Sequence, residues 1–295
     1  MKNLDVHFSD SELTTLIRIR KLFFLFTSFF ILLSIVFGVL YKYSHIAGLA
    51  PFIPFIIALI LIISIFCLSK YNKAVINTSY CLIANNLGWE IHNGAAGWKL
   101  MYNLYQNCLK NFGLLHGKGH VQFNNSLQGE IENYKFTLDN ISWIEPESTK
   151  HGEKDTTVAE YNLLTIDTPC PINCNILIKK NSMLKWGIKN LSRMKIENDE
   201  FEKYYDVYTD NPEMALGVLS VDFLGSLLDY NQIYKKLIEI IITPTKIFLY
   251  QNDGPWNKMF SHNIFLSPRI HCQKEIEKIN IELNALSILD SLKNQ

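Results

Sequence analysis

The chain carries no excess charge: 28 basic and 28 acidic side chains among 295 residues cancel to a formal net charge of zero. A nucleic-acid-binding surface needs a basic excess to displace counterions, so this balance gives no electrostatic case for such a partner. A disulfide framework is also missing. Cys67 lies in an apolar run, and Cys81, Cys108, Cys170, Cys174 and Cys272 show no paired spacing, so free thiols are expected. Common catalytic frames are absent too: no Gly-x-Ser-x-Gly elbow, no His-Glu-x-x-His and no paired zinc knuckles. Gly117-Lys118-Gly119 lacks the rest of a phosphate-loop frame. No internal repeat and no long low-complexity tract interrupts the chain.

Charge is also missing, more tellingly, from two stretches near the N-terminus. Leu22–Tyr41 is 20 residues without a charge, 15 of them Leu, Ile, Val or Phe. At about −0.3 to −0.6 kcal/mol each, they favour membrane insertion by roughly −5 to −9 kcal/mol. The length matches a helix crossing a ~30 Å hydrocarbon core. Ile46–Ser69 is a second uncharged run, with Pro51 and Pro54 near its start, where a helix tolerates proline best. The expected spans are therefore 22–41 and 51–68, joined by a tight link at Lys42–Gly48. Tyr41, Tyr43 and Tyr71 sit where interfacial aromatics belong.

Arg18, Arg20 and Lys21 precede the first run and Lys70 and Lys73 follow the second, whereas the link holds only Lys42. The positive-inside rule then puts both termini in the cytoplasm. A cleaved signal peptide ending near Gly48-Leu49-Ala50 is the competing reading. Against it stand Asp5, Asp10 and Glu12 in the leading segment and the excessive length of the apolar run. Ser9-Asp10-Ser11-Glu12 has a capping-box pattern. The residues after it form either an amphipathic helix on anionic lipid or an extension of the first membrane helix.

From 74 to 295 the pattern is that of one cytosolic α+β domain, or two subdomains with a boundary near 148–157 or 181–193. Ala74–Trp89 and Gly97–Asn111 read as helices. Leu127–Ile131 and Tyr134–Ile144 alternate around Glu132-Asn133 as a hairpin, with Gly129 an odd strand residue that suggests a bulge. Ser148–Thr156 reads as a polar loop. Tyr161–Ile166, Asn175–Lys179, Met194–Ile196 and Tyr205–Tyr208 read as strands. Asn211-Pro212-Glu213 opens a helix of about 17 residues to Tyr230. Leu237–Ile242 and Lys246–Tyr250 flank a second hairpin turn. Arg269–Leu292 is a final helix whose Ile276, Ile279, Leu283, Leu286 and Leu289 make one apolar stripe, read as core packing.

Two clusters invite chemistry. His116 and His120 are four apart and, with Cys170 and Cys174, supply four soft ligands. The intervening glycines oppose a helix, and the pairs lie some fifty residues apart, so the reading is a polar turn and two unrelated thiols. No metal or cofactor is expected. Glu197, Asp199, Glu200, Glu202, Asp206 and Asp210 form an acidic run, read as a solvated helix face with an N-cap.

The stretch KIENDEFEKYYDVYTDNPEMALGVLSVDFLGSLL, Lys195–Leu228, resembles the DUF3137 family. That family has a Phe-Glu pair, then an aromatic-rich strand, an Asp-rich turn and an Ala/Leu helix. Phe201, Glu202, Val207-Tyr208, Asp210-Asn211 and Ala215 carry the match, while Ser220-Val221 stands where Thr-Pro is usual. Leu127–Glu145 resembles the family's Gly-centred hairpin, and the two N-terminal spans fit its layout. The resemblance implies a bacterial inner-membrane protein with a cytoplasmic domain. It brings no catalytic residue with it. The function expected is a membrane-tethered module that binds the bilayer and protein partners or itself; the alternative is a membrane-bound, hydrolase-like enzyme.

Overall fold

The computed structural model describes residues 4–44, 52–93, 119–149, 152–169, 172–181, 188, 190–252 and 264–293. The chain divides into two compact units. One comprises Met1–Asp5, Ile83–Pro255 and Glu277–Gln295, the other Val6–Leu82 and Trp256–Ile276.

The second unit is built on two long helices, α1 (Thr14–Ser44) and the greater part of α2 (Phe52–Leu87). Thr14 to Lys21 continue α1 without a break, so that stretch is an extension of the first apolar helix. The capping box is half formed: the Ser9 amide donates to Glu12 Oε2 at 2.8 Å. The segments expected at 51–68 and 74–89 are one helix, about 54 Å long at ~1.5 Å per residue. Nothing between Ser69 and Ala74 breaks a helix. Stretches within both helices are long and apolar enough to cross a membrane, with mean hydropathy 2.6 and 1.7. Their apolar side chains point outward: Leu25, Phe29, Leu32 and Ile35 on α1, and Leu61, Ile62 and Phe66 on α2, are each at least 55% exposed. A helix in a water-soluble core would bury these residues.

Among the described residues the first unit is a nine-stranded antiparallel sheet with helices on one face. The strands are β1 (Glu90–Asn93), β2 (His120–Ile131), β3 (Tyr134–Thr149), β4 (Gly152–Asp167), β5 (Ile176–Lys180), β6 (Ser192–Met194), β7 (Tyr205–Thr209), β8 (Glu239–Ile242) and β9 (Lys246–Asn252). Their order is β1-β2-β3-β4-β9-β8-β5-β7-β6. Short helices α3 (Asp199–Tyr204), α4 (Pro212–Val218) and α5 (Val221–Tyr234) lie in the second half. The chain closes with α6 (Pro268–Asn284), a 3-10 turn (Ala285–Leu289) and α7 (Asp290–Lys293). The α+β expectation holds.

Several local expectations change for identifiable reasons. The polar loop expected at Ser148–Thr156 is strand on both sides of the turn, because β3 and β4 stay paired out to Thr149 and Gly152. Glu147, Ser148, Lys154 and Asp155 are exposed on this paired arm. The bulge lies at Asn124, between Phe123 and Asn125, and not at Gly129, which pairs in register with Phe136. The β2–β3 turn has Glu132 at φ 51° and Asn133 at φ 69°, the left-handed pair that a two-residue hairpin requires. The single helix expected to Tyr230 is two. Leu219 leaves helical geometry, and Ser220 caps a new helix by accepting from the Phe223 amide at 3.2 Å. The final helix tightens to 3-10 geometry after Asn284, yet all five stripe residues are buried, as core packing demands. The helix expected at Gly97–Asn111 lies outside the described residues.

The sheet is covered on both sides. Val121, Ile141, Trp143, Leu163, Leu177, Ile241 and Phe248 form a cluster on one face. Alternate residues face the other way, toward the helices. There Tyr205 donates to Asn231 Oδ1 on α5 at 2.8 Å, and Tyr134 to Asp290 Oδ1 on α7 at 3.0 Å.

Candidate functional site: the Trp89 hollows and the polar seam

Helix α2 ends at Leu87, and Gly88 adopts φ 68° to turn the chain out of it. Trp89 follows and lies flat over Gly129 of β2. A Cβ on Gly129 would stand 2.6 Å from two indole carbons, so only glycine admits the ring there. The indole meets Phe136 edge-on at 5.0 Å. The odd strand glycine thus marks a close approach.

Two hollows lie beside Trp89. One, of about 640 Å³, includes Glu90, Glu130, Lys135, Asp167 and Lys246 in its lining. Glu130 stands opposite Lys135 in register, and Lys246 Nζ lies 2.5 Å from Asp167 Oδ1. Four of these five charges therefore face one another in pairs, and Glu90 stands opposite Gln128. The other, of about 500 Å³, has Asp5, Glu130, Glu132, Asn284 and Asp290 on its wall.

On the helix-covered face a polar seam crosses three strands. The Asn124 amide donates to Asn140 Oδ1 at 3.0 Å and to Ser142 Oγ at 2.9 Å. Asn140 donates to Asn162 Oδ1 at 2.5 Å, and Asn162 to Glu282 Oε1 at 2.6 Å. Asn140, Asn162 and Glu282 are buried. Every amide points its N–H the same way, so the chain of dipoles ends on the Glu282 carboxylate.

The residues carrying the family resemblance brace strand β7. Phe201 is fully buried and stacks on Tyr205 at 5.2 Å. Glu202 accepts from the Ile196 amide at 2.9 Å. Asp210 accepts from the Asn175 amide at 2.8 Å and from its side chain at 2.6 Å, tying the end of β7 to the start of β5. Ala215 is buried in α4. The acidic run is dispersed. Asp206, 3% exposed, takes Arg193 at 2.8 Å, and Asn198 caps α3.

His116 and Cys170 lie outside the described residues. His120 opens β2 opposite Ile144, and Cys174 is buried before β5. Among the described residues no three His, Cys, Asp or Glu side chains are placed to hold a metal ion. Burial, with the Asp210 charge nearby, pushes the Cys174 thiol up, and burial pushes Cys272 up to about 11, so neither is poised as a thiolate. Burial likewise raises Tyr161 to about 12 and raises Tyr134, Tyr205 and Tyr230 further. Glu239 is also raised by burial, against the Lys180 amide and nearby lysines that favour its charge. None of these groups lines either hollow described above.

Sequence reading missed the Trp89–Gly129 contact and the seam. Gly129 was a signal for the first. Asparagines set among apolar strand residues, at 124, 140 and 162, were a signal for the second.

Together these features define a helix-anchored α+β sheet protein. Residues 148–293 match the family described as "Protein of unknown function (DUF3137)", which supports the resemblance carried by Lys195–Leu228. No curated protein matches the chain. It is similar to the crystal structure of the mycobacterial trehalose monomycolate transport factor A, TtfA, with TM-score 0.36 and 10% identity over 75% of this chain and 94% of that one. A likeness that distant decides neither fold nor function.

Proposed function

We propose that the protein is a membrane-tethered interaction module of a bacterial inner membrane. In this reading α1 and α2 cross the bilayer, both termini are cytoplasmic, and the sheet meets a protein partner or a second copy. The observation that carries the reading is the outward-facing apolar surface along both long helices. Such a surface, on helices long enough to span a hydrocarbon core, suits lipid. Basic residues at Arg18, Arg20, Lys21, Lys70 and Lys73 support the orientation.

The protruding β3–β4 hairpin supports the interaction part. Among the described residues, Glu145–Thr149 and Gly152–Thr156 pair only with each other. Pro146, Glu147, Lys154 and Asp155 blunt its edges against indiscriminate strand pairing, leaving side chains to choose a partner. The enzyme alternative asks for a hollow lined by ionisable groups of displaced pKa, and the two hollows beside Trp89 are not lined by the displaced groups named above.

Two experiments test the reading. Reporters fused at Gly48 and after Gln295 should report exported and cytoplasmic positions respectively; export of the C-terminal fusion refutes the topology. Full-length protein purified in mild detergent should bring down a stoichiometric partner or a homo-oligomer, lost when Glu147, Glu153 and Asp155 are changed together to Lys. A solitary wild-type protein refutes the interaction role.

A further inference from the structure

Three large apolar side chains remain exposed in one short segment: Phe265 at 64%, Leu266 at 40% and Ile270 at 41%. Their place explains them. Arg20 Nε donates to the Ile264 carbonyl at 3.1 Å and Nη2 to the Phe265 carbonyl at 2.9 Å. The Phe265 ring meets Phe23 at 6.2 Å and Phe24 at 5.6 Å. Phe23 and Phe24 are the second and third residues of the uncharged run, so Phe265 sits within a few ångströms, along the helix axis, of the change from charge to hydrocarbon. Arg18 and Lys21 are exposed at this end of α1, and Lys70 and Lys73 at the corresponding end of the apolar run of α2. Arg269 turns back, donating to the Phe8 carbonyl at 3.3 Å and Asp10 Oδ1 at 3.1 Å. It thereby holds the start of α6 against the chain that leads into α1.

We propose that Ile264–Ile270 is a membrane-surface anchor, with Phe265 and Leu266 entering the lipid interface of the leaflet in which α1 begins. The inference rests on α1 crossing the bilayer. Its occupant is lipid because the exposed trio continues the outward apolar surface of α1 at the level where basic side chains meet headgroups. Ile264, at 3% exposure, faces inward and fixes which side of the segment is presented.

The test places p-benzoylphenylalanine at position 265, and separately at 266, in the full chain reconstituted into phosphatidylglycerol–phosphatidylethanolamine vesicles. The same probe at Ile35, well inside the uncharged run of α1, and at Val221, 82% exposed on the sheet unit, provides references. After irradiation, lipid adducts at 265, 266 and 35 should exceed those at 221 by at least tenfold. Adducts at 35 without adducts at 265 or 266 overturn the anchor while leaving the span intact. No adducts at 35 overturn the span and the anchor with it. Protein adducts at 265 in place of lipid overturn the anchor in favour of a protein contact.

Discussion

Adding a single methyl group at Gly129 tests whether Trp89 organises its surroundings. The new Cβ would stand 2.6 Å from Cγ and Cδ2 of the indole and 2.8 Å from Cδ1. Carbon atoms rest at about 3.5–4.0 Å, so the ring must retreat by roughly 1 Å. Phe136 stands edge-on to the ring at 5.0 Å and must move with it. Overpacking of this kind destabilises by about 1–3 kcal/mol. Removing the ring first should abolish the penalty: in a Trp89→Ala background, Gly129→Ala should be neutral or stabilising by up to about 1 kcal/mol, the usual gain when a strand glycine acquires a side chain. The double-mutant cycle should therefore show a coupling of about 1–4 kcal/mol. Urea unfolding of the full chain in mild detergent, followed by circular dichroism, reads all four corners. Equal costs of Gly129→Ala in both backgrounds would refute the reasoning, because the glycine would then serve something other than the indole.

Asn162→Ala should destabilise by about 2–4 kcal/mol in the same assay, since it removes the acceptor of the Asn140 amide at 2.5 Å and the hydrogen bond to the Glu282 carboxylate at 2.6 Å. Ser220→Ala should cost about 1 kcal/mol by uncapping α5. Lys235→Gly should stabilise by about 0.5–1 kcal/mol, because Lys235 ends that helix at φ 55°, a conformation glycine adopts without strain. Tyr161, raised to about 12, keeps its proton in the folded state while the unfolded chain loses it near 10. Its contribution is therefore complete below pH 10 and lost as pH rises toward 12. Tyr161→Phe should flatten the alkaline stability slope by at most about 1.4 kcal/mol per pH unit, and an unchanged slope counts against the burial argument. Glu239, also raised, contributes fully below its ordinary value of 4.5 and loses that contribution as pH climbs through its folded value, so Glu239→Gln should flatten the curve just above pH 4.5.

Most of the sheet was legible in the sequence because period-two alternation survives wherever one face is buried. The β2–β3 hairpin, β5, β7 and the β8–β9 pair fall where alternation places them. What escaped were contacts set by residues far apart in sequence. No local pattern links Trp89 to position 129, Arg193 to Asp206, or Glu282 to Asn162. The helix break at Ser220 escaped for a different reason: the apolar spacing continues across it, and only a side-chain hydrogen bond to the Phe223 amide reveals a new start. The hairpin arm at 145–156 was hidden by its composition, since a two-stranded projection exposed on both faces has no apolar side to alternate.

The strand order has a consequence for how the chain is made. Strands β1 to β4 are sequential neighbours and can pair as they emerge, but the next partner of β4 is β9. Between Asp167 and Lys246 about 80 residues must be synthesised, on the order of 4–16 s at roughly 5–20 residues per second. Through that interval Leu163, Leu164 and Ile166 stand on an open edge with unsatisfied backbone groups. A ribosome stalled before Lys246 would therefore leave a half-sheet ready to pair with any passing strand, whereas completion of β9 seals the seam in one step.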